Sequence, residues 1–353
     1  MRIGKVTESV LNRSVLKLIK SDSNKKSAAG RSDCAYSLDE KGSTIMTAVS
    51  TFTAISEEAA YYAVHNAANN IFCDGGKPLM AVLNVMLPVD TEEAELKAIM
   101  RRAIAATNEL GIAVEGGHTE VTDAVSRPMI TAVVTGEKSS QFSEKKSYAG
   151  LDIVMTKWAA VEGTAILASE CAEKLSERLP DYMIREAKDF KKLVSVRRDA
   201  EIALENRLEQ LGCNSCEETS ACRETSGVVF LHDISSGGVF AALWDIAARA
   251  RCGIEVYLKK IPIRQETIEI TNHLGLNPYQ MISGGSLLVL ADDGEGLVRA
   301  YEEAGINAEI IGVTTDSNDK KIINDDEVRY LDKPQPDEIL KLAGITSADF
   351  MVQ

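Results

Sequence analysis

Apolar positions set the chain's elements. Val10, Leu11, Val15, Leu18 and Ile19 recur at helical spacing behind Thr7, a good N-cap residue, and predict a helix over 7–20 docked by that stripe. The polar stretch 22–32, with Gly30 and three serines, reads as a loop. β-Branched residues from Thr44 to Thr51 predict a strand. Ser56, Glu57 and Glu58 then open a helix to about Phe72, with positions 59, 60, 63, 64, 67, 68 and 71 as its buried stripe. A strand over Leu79–Leu87 follows. Next comes a helix capped at Thr91, turning Leu96, Ile99, Met100, Ala103 and Ile104 inward and ending at Gly111. Met129–Thr135 is a further strand, closed by Gly136.

Residues 137–149 shift to Ser, Lys and Glu, which places a domain boundary there: 1–140, then 150–335, with 336–353 as a C-terminal helix and tail. The second series predicts a strand at Asp152–Lys157, helices at 162–178 and 183–210, and a strand at Gly227–Leu231. A helix from Gly238, a strand Ile254–Leu258 and a helix 266–274 come next. A strand Ser286–Ala291, a helix 294–304 and short strands to Leu331 complete it. Both halves are mixed α/β. The charged run Arg185–Arg198 reads as the solvated face of a long helix, and Trp158 and Trp244 as packing anchors.

A chain of 353 residues, 45% apolar and 26% charged, has core enough for two domains. Its net charge of −14 opposes nucleic-acid binding, which needs a basic face, and favours a small-molecule or protein partner. No apolar run reaches membrane-spanning length, and the start lacks a signal-peptide core, so no membrane association and a cytoplasmic location are expected. Seven scattered cysteines are expected to be reduced thiols. Cys213, Cys216 and Cys222 cluster in a polar loop; the C-x-x-C spacing would suit zinc or redox chemistry, but a structural zinc wants four ligands.

Two glycine pairs carry candidate chemistry: Gly116-Gly117-His118-Thr119-Glu120-Val121, ahead of the Met129 strand, and His232-Asp233-Ile234-Ser235-Ser236-Gly237-Gly238, between a strand and a helix. At a strand-to-helix turn, glycine lets backbone N–H groups approach a ligand and the helix N-terminus favours an anion. A tight turn needing positive φ is the plainer reading of either pair. Of four histidines, His65, His118 and His232 lie in or near these segments. His65 reads as a partly buried helix residue, His118 as functional, and His232 as either a capping or a catalytic group.

These segments, with Arg127-Pro128, Asn277-Pro278-Tyr279 and Ile282-Ser283-Gly284-Gly285-Ser286, resemble in residues and order the HypE branch of the aminoimidazole ribonucleotide synthetase superfamily, over about residues 1–335. The resemblance implies a two-domain PurM-like fold, an N-terminal sheet joined to a dimer mate's in a β-barrel, a C-terminal α/β domain, and ATP with Mg2+ between the domains. It implies Asp33 and Asn70 as metal residues, and His118 and His232 as catalytic. Gly116, Gly117, Thr119, Glu120, Asp233, Ser236, Gly237 and Gly238 would form the nucleotide cradle, and a homodimer and a maturation-protein partner follow as associations. Three of four family carboxylates are absent: Val49-Ser50-Thr51-Phe52, Asn69-Asn70-Ile71 and His118 stand at those places.

HypE proteins that make cyanide ligands end in a cysteine. This sequence ends Phe350-Met351-Val352-Gln353 and its last cysteine is Cys252, so the thiocyanate route is not expected. Two functions remain in view: ATP-dependent phosphoryl activation of a carboxamide-type substrate, or a non-catalytic ligand-binding or assembly protein on the same fold. A metal protein built on the cysteine loop is the least favoured reading.

Overall fold

The structure, a computed structural model, describes residues 6, 8–22, 32–38, 42–53, 56, 58–139, 147–210 and 227–342. Cys213, Cys216, Cys222 and the tail beyond Leu342 lie outside the described residues. The chain divides into two compact units, Ser9–Gln141 and Phe142–Gln353 with Met1–Glu8. Both are mixed α/β.

The first unit opens with a helical segment in three pieces, α1 (Glu8–Leu11), a π-helical turn (Asn12–Leu16) and α2 (Lys17–Asp22). The expected docking of its apolar stripe fails. The wider π turn brings residues five apart onto one face, so Val10, Leu11 and Leu16 are half-buried while Val15, Leu18 and Ile19 are exposed.

A five-stranded sheet follows, with β1 (Ala35–Leu38), β2 (Thr44–Thr53), β3 (Gly76–Leu87), β4 (Ala113–Val121) and β5 (Met129–Lys138) in the order β1-β2-β5-β3-β4. Only β3 and β4 pair in parallel. The inward face carries Met46, Ala48, Ala81, Leu83, Val85, Ile130, Ala132 and Val134, all buried. Against it lies α3 (Ala59–Cys73), covered in turn by α4 (Glu93–Leu110). Held on both sides, α3 buries nearly its whole circumference, His65 and Asn69 included, beyond the single stripe its periodicity marks. In α4 the buried residues are Ala103, Ala106, Thr107 and Leu110; Ile104, expected inward, is exposed.

In the second unit β6 (Asp152–Thr156) begins a seven-stranded sheet with β7 (Val228–Ile234), β8 (Gly253–Tyr257), β9 (Ser286–Ala291), β10 (Ala308–Thr315), β11 (Lys320–Asn324) and β12 (Glu327–Tyr330). The order is β12-β11-β8-β10-β6-β9-β7, antiparallel except at β11–β8. The expected helix over 162–178 divides at Cys171 into α5 (Val161–Glu170) and α6 (Ala172–Ser176). That over 183–210 divides into α7 (Asp181–Asp189), a 3-10 turn (Phe190–Leu193) and α8 (Arg197–Gln210). The second break turns the carbonyls of Leu193 and Ser195 onto the Lys157 ammonium, at 3.2 and 2.7 Å. Next come α9 (Gly238–Ala250), α10 (Gln265–Leu274) and α11 (Gly294–Glu303). One face of the sheet packs Ile153, Met155, Leu288 and Leu290 against Val239, Leu243 and Ile246 of α9. On the other, Thr156 Oγ1 donates to Asp199 of α8 at 2.6 Å and α11 packs alongside.

Candidate functional site

In the first unit Asp33 precedes β1 in a short loop anchored on both sides. Ser32 Oγ donates to Asp74 Oδ2 at 2.6 Å and accepts from the Cys34 amide at 2.9 Å. Tyr36 donates its hydroxyl to the same Asp74 carboxylate. The buried Cys34 thiol reaches the Asn70 carbonyl at 3.4 Å, which ties the loop to the last turn of α3. Asp33 is exposed and Asn70 half-buried, so the fold brings the two expected metal residues onto neighbouring backbone. Asp74, which anchors this loop, was not singled out from sequence; it follows the last residue of α3 and reads there as an ordinary helix end.

The first glycine pair is not in a strand-to-helix turn. Gly116 through Glu120 lie inside β4, which among the described residues is an edge strand bonded only to β3, and not at the start of a helix. Alternate backbone groups of an edge strand point away from the sheet. At Gly117 a Cβ would collide with the Leu83 backbone, whereas Gly116 has open space around it. His118 and Glu120, two apart and therefore on one face, pair through Nε2 and Oε2 at 3.1 Å, both largely exposed. Thr119 is exposed too.

In the second unit the glycine pair does stand between a strand and a helix. Gly237 and Gly238 have φ of +87° and +66°, and Gly238 opens α9. A Cβ at Gly238 would meet the Tyr279 and Met281 backbone at 2.7 Å, so glycine is required there for conformation and for space. His232 and Asp233, at the end of β7, are buried. His232 Nδ1 lies 3.9 Å from Asp233 Oδ1, and Nε2 lies 3.8 Å from Asp245 Oδ2 on α9.

The amide expected to receive a ligand's anion already holds one. Gly237 N–H donates to Asp337 Oδ2 at 2.7 Å, Ile339 N–H donates to Oδ1 at 3.1 Å, and Ser236 bonds the same carboxylate. Burial pushes the Asp337 carboxyl up, partly offset by these hydrogen bonds. Glu338 next to it accepts from the Asn277 amide at 3.0 Å, so residues 337–338 fasten the C-terminal segment onto the turn. Asp337 was missed because 336–353, read as a C-terminal helix and tail, was given no part in the site; Pro336-Asp337-Glu338 is a helix-start pattern, but nothing local says that its carboxylate meets the Gly237 amide.

The remaining family motif is also enclosed. The Lys157 ammonium lies 2.8 Å from the Gly285 carbonyl and from Asp199 Oδ2, and Glu162 accepts from the Gly284 amide at 3.1 Å. Ile282-Ser283-Gly284-Gly285 is thus a buried clasp, and its neighbour Met281 abuts Gly238.

Two family models match in chain order: AIR synthase related protein, N-terminal domain, over residues 31–137, and AIR synthase related protein, C-terminal domain, over 182–325. The chain belongs to the AIR synthase-related family. Within this family its likeness is to the HypE-like branch. A putative hydrogenase expression/formation protein of Methanocaldococcus jannaschii is 26% identical over 267 residues, 74% of this chain and 71% of that protein. Phosphoribosylformylglycinamidine synthase subunit PurL of Caldanaerobacter subterraneus subsp. tengcongensis is 23% identical over 287 residues, 77% of this chain but 35% of its own length. The chain therefore spans about a third of that relative. Among solved structures, a HypE–HypF complex matches with TM-score 0.69 and 18% identity, covering 91% of this chain and 99% of the other. HypE in complex with ATP matches with TM-score 0.66 and 16% identity over 94% and 96%. At those identities the likeness establishes the PurM-like two-domain fold. Among the described residues no helix is long and apolar enough to cross a membrane.

Proposed function

We propose that this AIR synthase-related chain binds ATP and uses it to activate the oxygen of a carboxamide-type substrate. The γ-phosphoryl would pass to that oxygen and ADP would leave. The observation that carries this reading is the Asp33–Cys34–Asn70 arrangement: an exposed carboxylate tethered beside a helix-end amide residue, in a family that includes a HypE solved with ATP. Mg2+ is typically held by one or two carboxylates plus the substrate's own phosphates, so a single carboxylate with an Asn carbonyl fits it chemically. Asp33 and Asn70 would hold the ion, which when bound neutralises charge on the phosphates. His118, oriented by Glu120, is the proposed contact to the transferring phosphoryl group, and the exposed β4 backbone from Gly116 to Glu120 the proposed cradle. Within the second unit His232 is proposed as a catalytic group and Asp233 as a nucleotide-binding one, with Ser236, Gly237 and Gly238 shaping that turn.

The outward sheet face in the first unit leaves Val49 and Met80 exposed, which supports a homodimer through that face. A maturation-protein partner is proposed from the HypE–HypF complex. Isothermal titration with ATP and Mg2+ tests the reading: heat of binding is expected, and none at high protein concentration removes it.

Two observations favour a second reading, a ligand-binding or assembly protein without phosphoryl transfer. Three family carboxylates are replaced at Val49–Phe52, Asn70 and His118, and Asp337 occupies the Gly237 amide. ATP turnover above background, lost in His118→Ala, would decide for the enzyme.

A further inference from the structure

One buried cation of the second unit has no part in the nucleotide reading. Lys157 follows β6 with φ of +55°, in the left-handed region where a side chain is strained. Asn307 pins its backbone there: the Lys157 amide donates to the Asn307 carbonyl at 2.7 Å, and Asn307 Nδ2 donates back to the Lys157 carbonyl at 3.2 Å. The Lys157 side chain runs inward, 11% exposed. Among the described residues its Nζ meets four oxygens, the carbonyls of Leu193 at 3.2 Å, Ser195 at 2.7 Å and Gly285 at 2.8 Å, and Asp199 Oδ2 at 2.8 Å. An ammonium has only three hydrogens to donate. A spherical ion has no such limit, and backbone carbonyls can replace the hydration shell of a monovalent ion.

The surroundings are shaped to the same centre. Gly285 has φ of +103°, and a Cβ there would overlap the Leu193 carbonyl, so glycine lets the two carbonyls converge. Thr156 Oγ1 takes the other Asp199 oxygen at 2.6 Å, which leaves one carboxylate charge facing one positive charge. Spacings of 2.7 to 3.2 Å are too wide for Mg2+ or Ca2+, which bind oxygen at about 2.0–2.6 Å. We propose that these oxygens form a monovalent-cation cage, in which the tethered ammonium of Lys157 stands where a potassium or ammonium ion would fit. The cage joins β6 and the break before α8 to the 282–285 clasp, and so holds the second unit together without a free ion.

Lys157→Gly empties the cage and keeps the backbone conformation without strain. In choline chloride its melting temperature is expected about 6 °C or more below that of the wild type, because Asp199 is left buried without its partner. Potassium or ammonium chloride at about 100 mM should restore most of that loss, and lithium or magnesium chloride at equal ionic strength should not, each read against the wild type in the same salt. The wild type should melt alike in choline and potassium chloride. Lys157→Met, which fills the space without a charge, should be destabilised with no ion restoring it. An equal response of Lys157→Gly to every cation, or the same rescue of Lys157→Met, would mean that the lysine only neutralises Asp199, and overturns the cage. If Lys157→Gly folds in no salt, the wild type decides. Isotope-labelled lysine should then show a slowly exchanging side-chain ammonium at neutral pH, coupled across its hydrogen bonds to the Leu193, Ser195 or Gly285 carbonyl, and absence of that signal overturns the proposal.

Discussion

At position 65 the seam between α3 and α4 closes around an imidazole whose ring centroid is 4.4 Å from that of Tyr61 and whose Nε2 is 3.3 Å from Glu109 Oε2. The Glu109 oxygen already accepts the Tyr61 hydroxyl at 2.7 Å, and neither ring nitrogen of His65 has a well-aligned hydrogen bond. Burial dominates and lowers the imidazole to about 4, with Glu109 opposing only in part. The same burial, reinforced by Glu109, raises the Tyr61 phenol. Since the folded value lies below the unfolded 6.5, the stability linked to neutral His65 is complete above 6.5 and is lost as pH falls from there through about 4. Across that window the loss amounts to roughly 3 kcal/mol. Melting temperature followed from pH 7 to pH 4 should drop more steeply for the wild type than for His65→Gln. Parallel slopes would mean that another group carries the acid sensitivity. The helical pattern marked His65 as a partly buried helix residue, and the structure buries it almost completely; what sequence could not convey is that α4 closes the far side of α3.

Elements were legible where one face is buried and the other is wet. Thr44–Thr53, Gly76–Leu87 and Met129–Lys138 alternate in burial, and their strands were readable to within a few residues. Strand β4 was not, because it sits at the sheet edge with nearly every residue exposed and no alternation to betray it. Its glycines therefore looked like a loop. That difference makes a prediction. Gly117→Ala should cost about 1–3 kcal/mol in urea unfolding, since the new methyl would overlap the Leu83 backbone, which cannot swing aside. Gly116→Ala, with open space, should stay within about 0.5 kcal/mol of wild type. Equal and small effects would mean that β4 does not hold this register against β3. Breaks inside helices were also hidden. The interruption at Val194–Val196 arises because Lys157, far away in sequence, gathers the Leu193 and Ser195 carbonyls. No local rule encodes that contact.

For the whole molecule, the order of motifs carried more than any one of them: separate glycine segments were ambiguous, yet their succession matched the family whose two domain models the chain satisfies. The candidate site was legible only in part, since Asp33 and Asn70 could be named but the carboxylate filling the Gly237 amide could not. Net charge now sets a test of the ligand reading that no single residue can. At −14 the chain repels a free polyanion at long range, and the proposed metal site contributes only one carboxylate to attract the ion that must compensate. Nucleotide should therefore bind mainly as its magnesium complex. Moderate salt, by shortening the Debye length toward about 10 Å, should hold or raise the association rate instead of lowering it. Stopped-flow or titration measurements at about 10 and about 100 mM salt, with and without Mg2+, read both effects. A steep loss of affinity with salt, independent of Mg2+, would mean that the phosphates are met by a cluster of cationic side chains and not by a metal on Asp33 and the backbone of β4.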